Sequence, residues 1–415
     1  MFYNLLVHMW LVLNFLPTVF CFYQFTIGLA ALIKNRSINE TATKYNRFAI
    51  LIAARDEENV IASLIESLYQ QNYPKELIDV IVVADNCIDA TAEIAAAAGA
   101  IVYQRFNKVE IGKGYAIKFT LDKIEEERDV YDAFCIVDAD NIVDNEFVSE
   151  MNKSLCRGAC VAQGYRDIKN PTDNWVSGSH ALFFWMENRF YNFARNNLGL
   201  SATINGTAIM ISDEYIKEFG YNMRTMTEDI ELTFQCIMNG KKVDWVPTAK
   251  VYDEQPLLMS QSMIQRTRWI GGFFQCFSAY FTTYVKSFIK KPDWIKLDIF
   301  MFVMSLPVMI IGAFATILYA ALGVLRVLDP ATVLFNMVIL AVGSLLAFWL
   351  IGIITVLLEN PKKALKMKSA LLLYPIFNLS WLVIYVKCFF NRKIEWEPIV
   401  HGRNISINEI EPLKK

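Results

Sequence analysis

Histidine is scarce in this chain, three in 415 residues, and none stands beside the acidic clusters described below to act as a base among them. Eight cysteines form no Cys-x-x-Cys pair, and the closest two, Cys156 and Cys160, lack partners at metal-ligand spacing. Reduced, structural thiols are the expectation. A net charge of −2 and the lack of any basic run interleaved with aromatics exclude nucleic acid as a partner. Gly112-Lys113-Gly114 lacks the third glycine of a dinucleotide fingerprint, position 117 being Ile, and the earlier glycine of a phosphate loop, position 107 being Asn. What the chain has in excess is apolar: 54% hydrophobic residues and a mean hydropathy of +0.30, too high for an ordinary soluble domain.

The excess sits at the two ends. Residues 9–33 carry no charge and are long enough to cross a bilayer. No basic stretch precedes them and no small-residue cleavage pattern follows, so a retained transmembrane helix is favoured over a signal peptide. Three further spans are expected at 299–325, 332–358 and 370–390, the last carrying Pro375, Asn378 and Lys387. Lys34, Arg36, Lys44 and Arg47 follow the first span, and Lys362, Lys363, Lys366 and Lys368 separate the third from the fourth, which places the middle of the chain in the cytoplasm. Arg392, Lys393, Arg403, Lys414 and Lys415 in the tail argue for the opposite side to the one that four full spans give it.

From Phe48 the pattern changes to strands alternating with helices. The apolar run at 48–54 reads as a strand, as do 79–84, 101–105 and 133–137, with helices between them, including one at 86–98 stopped by Gly99. Strands of this kind imply a doubly wound, mostly parallel α/β sheet, whose ligands bind beyond the carboxyl ends of the strands. Arg55 to Glu57, Asp85, and the pair Asp138 and Asp140 all fall just past strand ends. Thr227-Glu228-Asp229 opens an amphipathic helix, with Thr227 as a candidate N-cap. Further on, Gln265, Arg268 and Trp269 share a helix face at spacings of three and four.

In this order, Asp85, Asp138-Ala139-Asp140, Thr227-Glu228-Asp229 and Gln265-Arg266-Thr267-Arg268-Trp269 resemble the motifs of membrane-embedded family 2 glycosyltransferases, such as cellulose, hyaluronan and poly-N-acetylglucosamine synthases. The resemblance covers roughly residues 45–290. It implies a sheet of the type A nucleotide-sugar transferases, set between transmembrane helices, and a donor site built from Ala54, Arg55, Glu57, Asp85, Lys113, Asp138, Gln265 and Arg268. It further implies Mg²⁺ or Mn²⁺ on Asp140, with Asp138 toward the nucleotide, and Asp229 as general base supported by Glu228. Trp269, Asn205 and Gly206 are the acceptor-side candidates. Where the family's first turn reads Pro-x-x-Asn-Glu, this chain has Ala53-Ala54-Arg55-Asp56-Glu57, so Glu57 matches better than its neighbour.

The resulting division is a helix at 1–34, a transferase domain at 45–255, interfacial amphipathic helices at 256–292, about three spans at 296–390, and a tail at 391–415. The stripe Trp269, Phe273, Phe277, Tyr280, Tyr284 and Phe288 is expected to lie in the membrane interface, with a core helix as the competing reading. The expected activity is inverting, metal-dependent transfer from a nucleotide sugar, UDP-linked, to a growing β-linked polysaccharide, with accessory export or regulatory subunits as possible partners. The alternative is a single transfer to a lipid acceptor, polyprenyl phosphate or diacylglycerol.

Overall fold

The structure, a computed structural model, describes residues 2–33, 42–391, 405 and 407–410. Its centre is an eight-stranded sheet, built from β1 (Phe48–Ala54), β2 (Ile78–Asp85), β3 (Ile101–Arg105), β4 (Ala133–Ile136), β5 (Ile142–Val143), β6 (Val161–Ile168), β7 (Ile209–Ser212) and β8 (Val243–Asp253), in the order β3-β2-β1-β4-β7-β6-β8-β5. Along β1, Phe48, Ile50 and Ile52 enter one apolar cluster while Ala49 and Leu51 enter another. Such alternation into two cores is what a strand covered on both faces requires. The Lys113–Glu127 and Trp175–Met186 helices cover one face; Ile61–Tyr69 and Phe147–Cys156 cover the other.

β1 to β4 are mutually parallel, as are β6 and β8, whereas β7 runs antiparallel to both its neighbours and β5 antiparallel to β8. The mostly parallel, doubly wound sheet is therefore present, with a mixed half that the sequence pattern does not announce. One element is corrected. The helix expected at 86–98 is Thr91–Ala97, because Asn86 adopts a left-handed conformation (φ 57°) that no helix continues. Neither Asp85 nor Asn86 caps it; Asp89 instead accepts from the Thr91 N–H at 3.0 Å and hydroxyl at 2.6 Å.

Among the described residues, four helices are long and apolar enough to cross a membrane: Asn4–Leu32, Ser305–Val324, Pro330–Glu359 and Lys368–Phe390. The second starts later than expected because the chain breaks at Met304, leaving Trp294–Val303 as a separate helix. Buried polar contacts tie these helices to the sheet domain. Arg195 pairs with Asp298 at 2.8 Å, and Tyr23 and Gln24 of the first helix bond to that pair. Tyr165 of β6 donates to Glu359 at 2.7 Å. Gly178 meets the fourth span so closely that a Cβ there would lie 2.5 Å from that of Ala370. Lys34 and Arg36, like the tail residues Arg392, Lys393, Arg403, Lys414 and Lys415, lie outside the described residues.

The aromatic stripe belongs to one 32-residue helix, Met259–Lys290. Phe273 and Tyr284 are buried, and Phe277 and Tyr280 pack with them against the Glu228–Met238 and Trp294–Val303 helices. Part of the stripe is thus a packing face between helices.

Candidate active site

The carboxyl ends of β1, β2 and β4 deliver Ala54, Asp85 and, just beyond β4, Asp138 and Asp140 to a cavity of about 540 Å³. Arg55, Glu57, Lys113, Gly206, Glu228, Asp229, Gln265, Arg268 and Trp269 also line it. Every residue given a donor, metal, base or acceptor role from the sequence lines this cavity except Asn205, which lines an adjoining one.

Lys113 stands at the start of the Lys113–Glu127 helix, where its ammonium pairs with Asp138, donates to the Gly206 carbonyl at 2.5 Å and lies 3.8 Å from Glu228. Burial works against its charge, but Asp138 and Glu228 outweigh that, and its pKa is raised. Gly206 has φ +92°, which favours glycine, and a Cβ there would lie 3.6 Å from Asp229 Oδ2 and 3.5 Å from Arg166 Nη1. The backbone of 205–207 thereby sits directly against the acidic centre.

Asp85 is not free to serve a nucleotide alone. Its carboxylate accepts from Arg105 at 2.7 Å, both side chains being buried, and Arg105 also reaches Glu110 at 3.4 Å. Asp56, the departure from the family pattern, accepts from the Ile88 N–H at 2.8 Å and so clamps the turn after β1 to the turn after β2.

Glu228 and Asp229 occupy the first turn of Glu228–Met238, where the helix dipole favours negative charge. Burial pushes Glu228 up to about 7, Lys113 opposing and Asp229 adding. Burial likewise raises Asp229, against the Ile230 N–H it accepts at 2.8 Å and the cations Lys113 and Arg166. Thr227 holds the N-cap position, but its hydroxyl makes no capping bond and lies 3.5 Å from Cys276 Sγ. The loop before it is held by buried Glu231, which accepts from the Arg224 and Thr225 N–H groups (2.9 and 2.8 Å) and from Tyr280 (2.5 Å).

Two residues of this centre are not suggested by the sequence. Asp253 ends β8, and burial pushes its carboxyl up to about 7 while Arg166 opposes and Asp140 adds through charge and a shared hydrogen bond. Arg166, inside β6, donates to Asp253 through Nε at 2.7 Å and also through Nη2, and to the Asn205 carbonyl through Nη1 at 2.7 Å; its guanidinium lies 4.1 Å from the Phe184 ring centroid. Asp253 could be found from the rule that chemistry gathers at strand ends, had β8 been legible. Arg166 has no such signal.

The arginines of the Gln-x-x-Arg-Trp stretch face different ways. Arg268 lines the cavity, whereas buried Arg266 lies 4.1 Å from the Phe377 ring centroid and 4.8 Å from that of Trp381 on the fourth span. Trp269 stacks with Phe183 and Trp381 at 6.1 and 6.3 Å between centroids. Beneath it lies the second cavity, about 420 Å³, reaching between the long apolar helices to Leu306, Met309, Phe348 and Tyr385. Arg166, Thr227, Asp229 and Trp269 line both cavities and form the wall between them.

Residues 46–272 match glycosyltransferase-like family 2. The chain is 25% identical over 248 residues to a probable glycosyltransferase of Bacillus subtilis, 56% of either chain. It is also 25% identical over 288 residues to the β-monoglucosyldiacylglycerol synthase of a Nostoc species, 66% of this chain and 58% of that one. The chain thus spans less than two thirds of the length of these curated relatives. Among solved structures, a mannosyltransferase from Pyrobaculum calidifontis, in complex with GDP-Man and Mn²⁺, superposes with a TM-score of 0.57 at 17% identity, over 89% of this chain and 99% of that one. That likeness is one of fold. With the family match running through more than half of the 415 residues, the chain belongs to glycosyltransferase-like family 2.

Proposed function

We propose that this protein transfers a sugar, with inversion, from a nucleotide sugar in the first cavity to the hydroxyl of a lipid acceptor in the second. The observation that carries this reading is the shared wall at Asp229: a polar cavity rich in carboxylates and basic groups on one side, an apolar one among membrane helices on the other. The β-monoglucosyldiacylglycerol synthase relative supports the same choice.

In this reading Asp85, Arg55 and Glu57 hold the nucleoside, UDP being the expected one, while Lys113 and Arg268 take the diphosphate. Asp138, Asp140 and Asp253 supply hard oxygen donors on one wall, so the residues fit Mg²⁺ or Mn²⁺. Such an ion, once bound, neutralises charge on the departing nucleotide diphosphate. The acceptor oxygen attacks the anomeric carbon, its proton passes to Asp229, and the carbon–oxygen bond to the diphosphate breaks with its electron pair leaving on the nucleotide. Asp229 is suited to this because burial raises its proton affinity more than the nearby charges of Lys113 and Arg166 lower it. Gln265, whose buried Oε1 has no hydrogen-bond partner among the described residues, is placed to accept from the donor sugar.

The basic loop of Lys362, Lys363, Lys366 and Lys368 lies at the end of the third span where Glu359 meets Tyr165, on the same side as the sheet domain. By the positive-inside rule that side is the cytoplasm.

Polymer extension is the second reading, favoured by the Trp269 platform, whose ring stack offers an apolar surface to a sugar face. Product size separates the two. Purified protein given radiolabelled UDP-glucose, UDP-N-acetylglucosamine, UDP-glucuronate or GDP-mannose with Mn²⁺ should yield one lipid-sized product when lipid is supplied. A high-mass ladder made without added lipid would replace this reading with the polymer one.

A further inference from the structure

The second cavity carries information about the head of the acceptor as well as its tail. Among its lining residues the charged groups are Arg166, Glu187 and Asp229. Arg166 is committed: Nε and Nη2 serve Asp253, Nη1 serves the Asn205 carbonyl, and the face of the guanidinium is covered by Phe184. That leaves two carboxyl groups facing the space where the acceptor must present its reacting oxygen. Asn205 lines the same space, 7% exposed, with neither its Oδ1 nor its Nδ2 bonded to any partner among the described residues. A buried amide with both atoms unpartnered is costly, and it marks a place where a ligand completes the bonding.

The chemistry of that ligand follows from which groups wait for it. An amide carbonyl and two carboxyls want a donor; the amide NH₂ wants an acceptor. A hydroxyl offers both, whereas a phosphate monoester offers acceptors and negative charge only. A phosphate here would stand beside Glu187 and Asp229 with no uncommitted cation among the described residues that line the cavity, and like charges in a poorly solvated site repel strongly. Beyond the head, Phe183, Phe273, Leu306, Met309 and Phe348 provide a chain-sized apolar path toward the spans.

We propose that the acceptor is a neutral lipid alcohol, of the diacylglycerol or free polyprenol kind, and that Glu187 and Asn205 select it against lipid phosphates. This rests on the lipid-acceptor reading above. The Trp175–Met186 helix widens into a π-helical turn over Glu187–Phe193, the kind of insertion that re-aims side chains at functional sites, and here Glu187 is its first residue. In the transfer, the new bond joins the alcohol oxygen to the anomeric carbon, the alcohol proton goes to Asp229, and the nucleotide diphosphate leaves with the electron pair.

The test uses the full chain in phosphatidylcholine vesicles containing, in separate preparations, dioleoylglycerol, undecaprenol or undecaprenyl phosphate. Labelled donor and Mn²⁺ are supplied, and glycolipid is read by thin-layer chromatography and mass spectrometry. Transfer to at least one of the two alcohols should be faster than to the phosphate by about tenfold or more, a ratio worth about 1.4 kcal/mol. Glu187→Gln, which removes one of the facing charges, should narrow that ratio. Transfer to undecaprenyl phosphate at an equal or greater rate would overturn the inference while leaving the lipid reading standing. High-mass product formed without added lipid would overturn both. Donor binding by calorimetry, expected to be unchanged in Glu187→Gln, separates loss of selectivity from loss of the fold.

Discussion

Gly272 and Thr227 touch without room for one more carbon: a Cβ on Gly272 would lie 2.3 Å from Thr227 Cγ2 and 2.7 Å from its hydroxyl. The contact joins the long Met259–Lys290 helix, which carries Gln265, Arg268 and Trp269, to the N-terminus of the helix that carries Glu228 and Asp229. The two halves of the site are thereby held at one fixed spacing.

Gly272→Ala should consequently separate those halves. Thr227 begins its helix and cannot swing aside without moving Asp229, so the overpacking costs about 1–3 kcal/mol. Thermal melts in detergent should show the loss of stability, and kcat should fall more than donor affinity does. An unchanged turnover number would mean that the spacing across this contact is not used in catalysis.

Asp229→Asn removes the proposed base while keeping shape and the Ile230 N–H contact. Transfer should drop by about 10²–10⁴-fold, the usual contribution of a general base. Nucleotide-sugar binding, measured by calorimetry, should stay within a small factor of the parent. Glu228→Gln should cost less, because Glu228 pairs loosely with Lys113 at 3.8 Å and, unlike Asp229, does not line the acceptor cavity.

The parts of this architecture that could be read from sequence are those governed by local rules. β1 is an unbroken apolar run and β2 is one from Val80 to Ala84, and the acids at strand ends obey the strand-end rule, so Asp85, Asp138 and Asp140 are legible from residue order alone. β6 is not, because Gln163, Arg166 and Asp167 interrupt its apolar pattern although every residue of the strand is buried. Their partners, the Thr207 carbonyl, Asp253 and Trp185, come from distant segments, and only the fold brings them within reach. The helix start at Thr91 is obscured for a related reason: the left-handed Asn86 is fixed by a bond from the Asn107 N–H, 21 residues away. Glu187 carries no motif at all, Asn205 is suggested only by the family resemblance, and their meeting at the second cavity is a product of packing.

Metal dependence should be legible in the acid cluster. Chelation with EDTA should abolish transfer, and added Mn²⁺ or Mg²⁺ should restore it. Asp140→Asn and Asp253→Asn should both raise the metal concentration needed for half-maximal rate, by about 10–100-fold where a ligand or its immediate support is lost. A metal requirement unchanged in Asp253→Asn would confine the role of Asp253 to anchoring Arg166.

Activity and stability should run in opposite directions with pH. As pH falls through about 7, the Glu228 and Asp229 pair takes up a proton, and kcat/KM should decline on that acid limb. The same raised carboxyls, with Glu187 and Asp253, bind protons more tightly folded than unfolded. Their contribution to stability is therefore present at low pH and lost as pH rises through the folded value of about 7. Melting temperature should be higher at pH 6 than at pH 8 while the transfer rate is lower. Parallel decline of both on acidification would show that other groups dominate.

Arg266 and Arg268 stand two residues apart in one motif and should fail in different ways. Arg268 lines the donor cavity, where an arginine can grip a diphosphate with two parallel bonds that lysine cannot reproduce. Arg268→Lys should thus weaken nucleotide-sugar binding and lower kcat/KM with little change in melting temperature. Arg266 is fully buried, its charge met by the faces of Phe377 and Trp381 and by the Phe377 carbonyl at 3.3 Å, and burial lowers its pKa to about 10. Arg266→Ala leaves a large void between the motif helix and the fourth span, costing about 2–5 kcal/mol by analogy with other large-to-small core changes. Its signature should be a lower melting temperature with a donor KM close to that of the parent protein. If Arg266→Ala instead raised the donor KM as much as Arg268→Lys does, the motif would act as one nucleotide-binding unit, and the division of labour between its two arginines would be wrong.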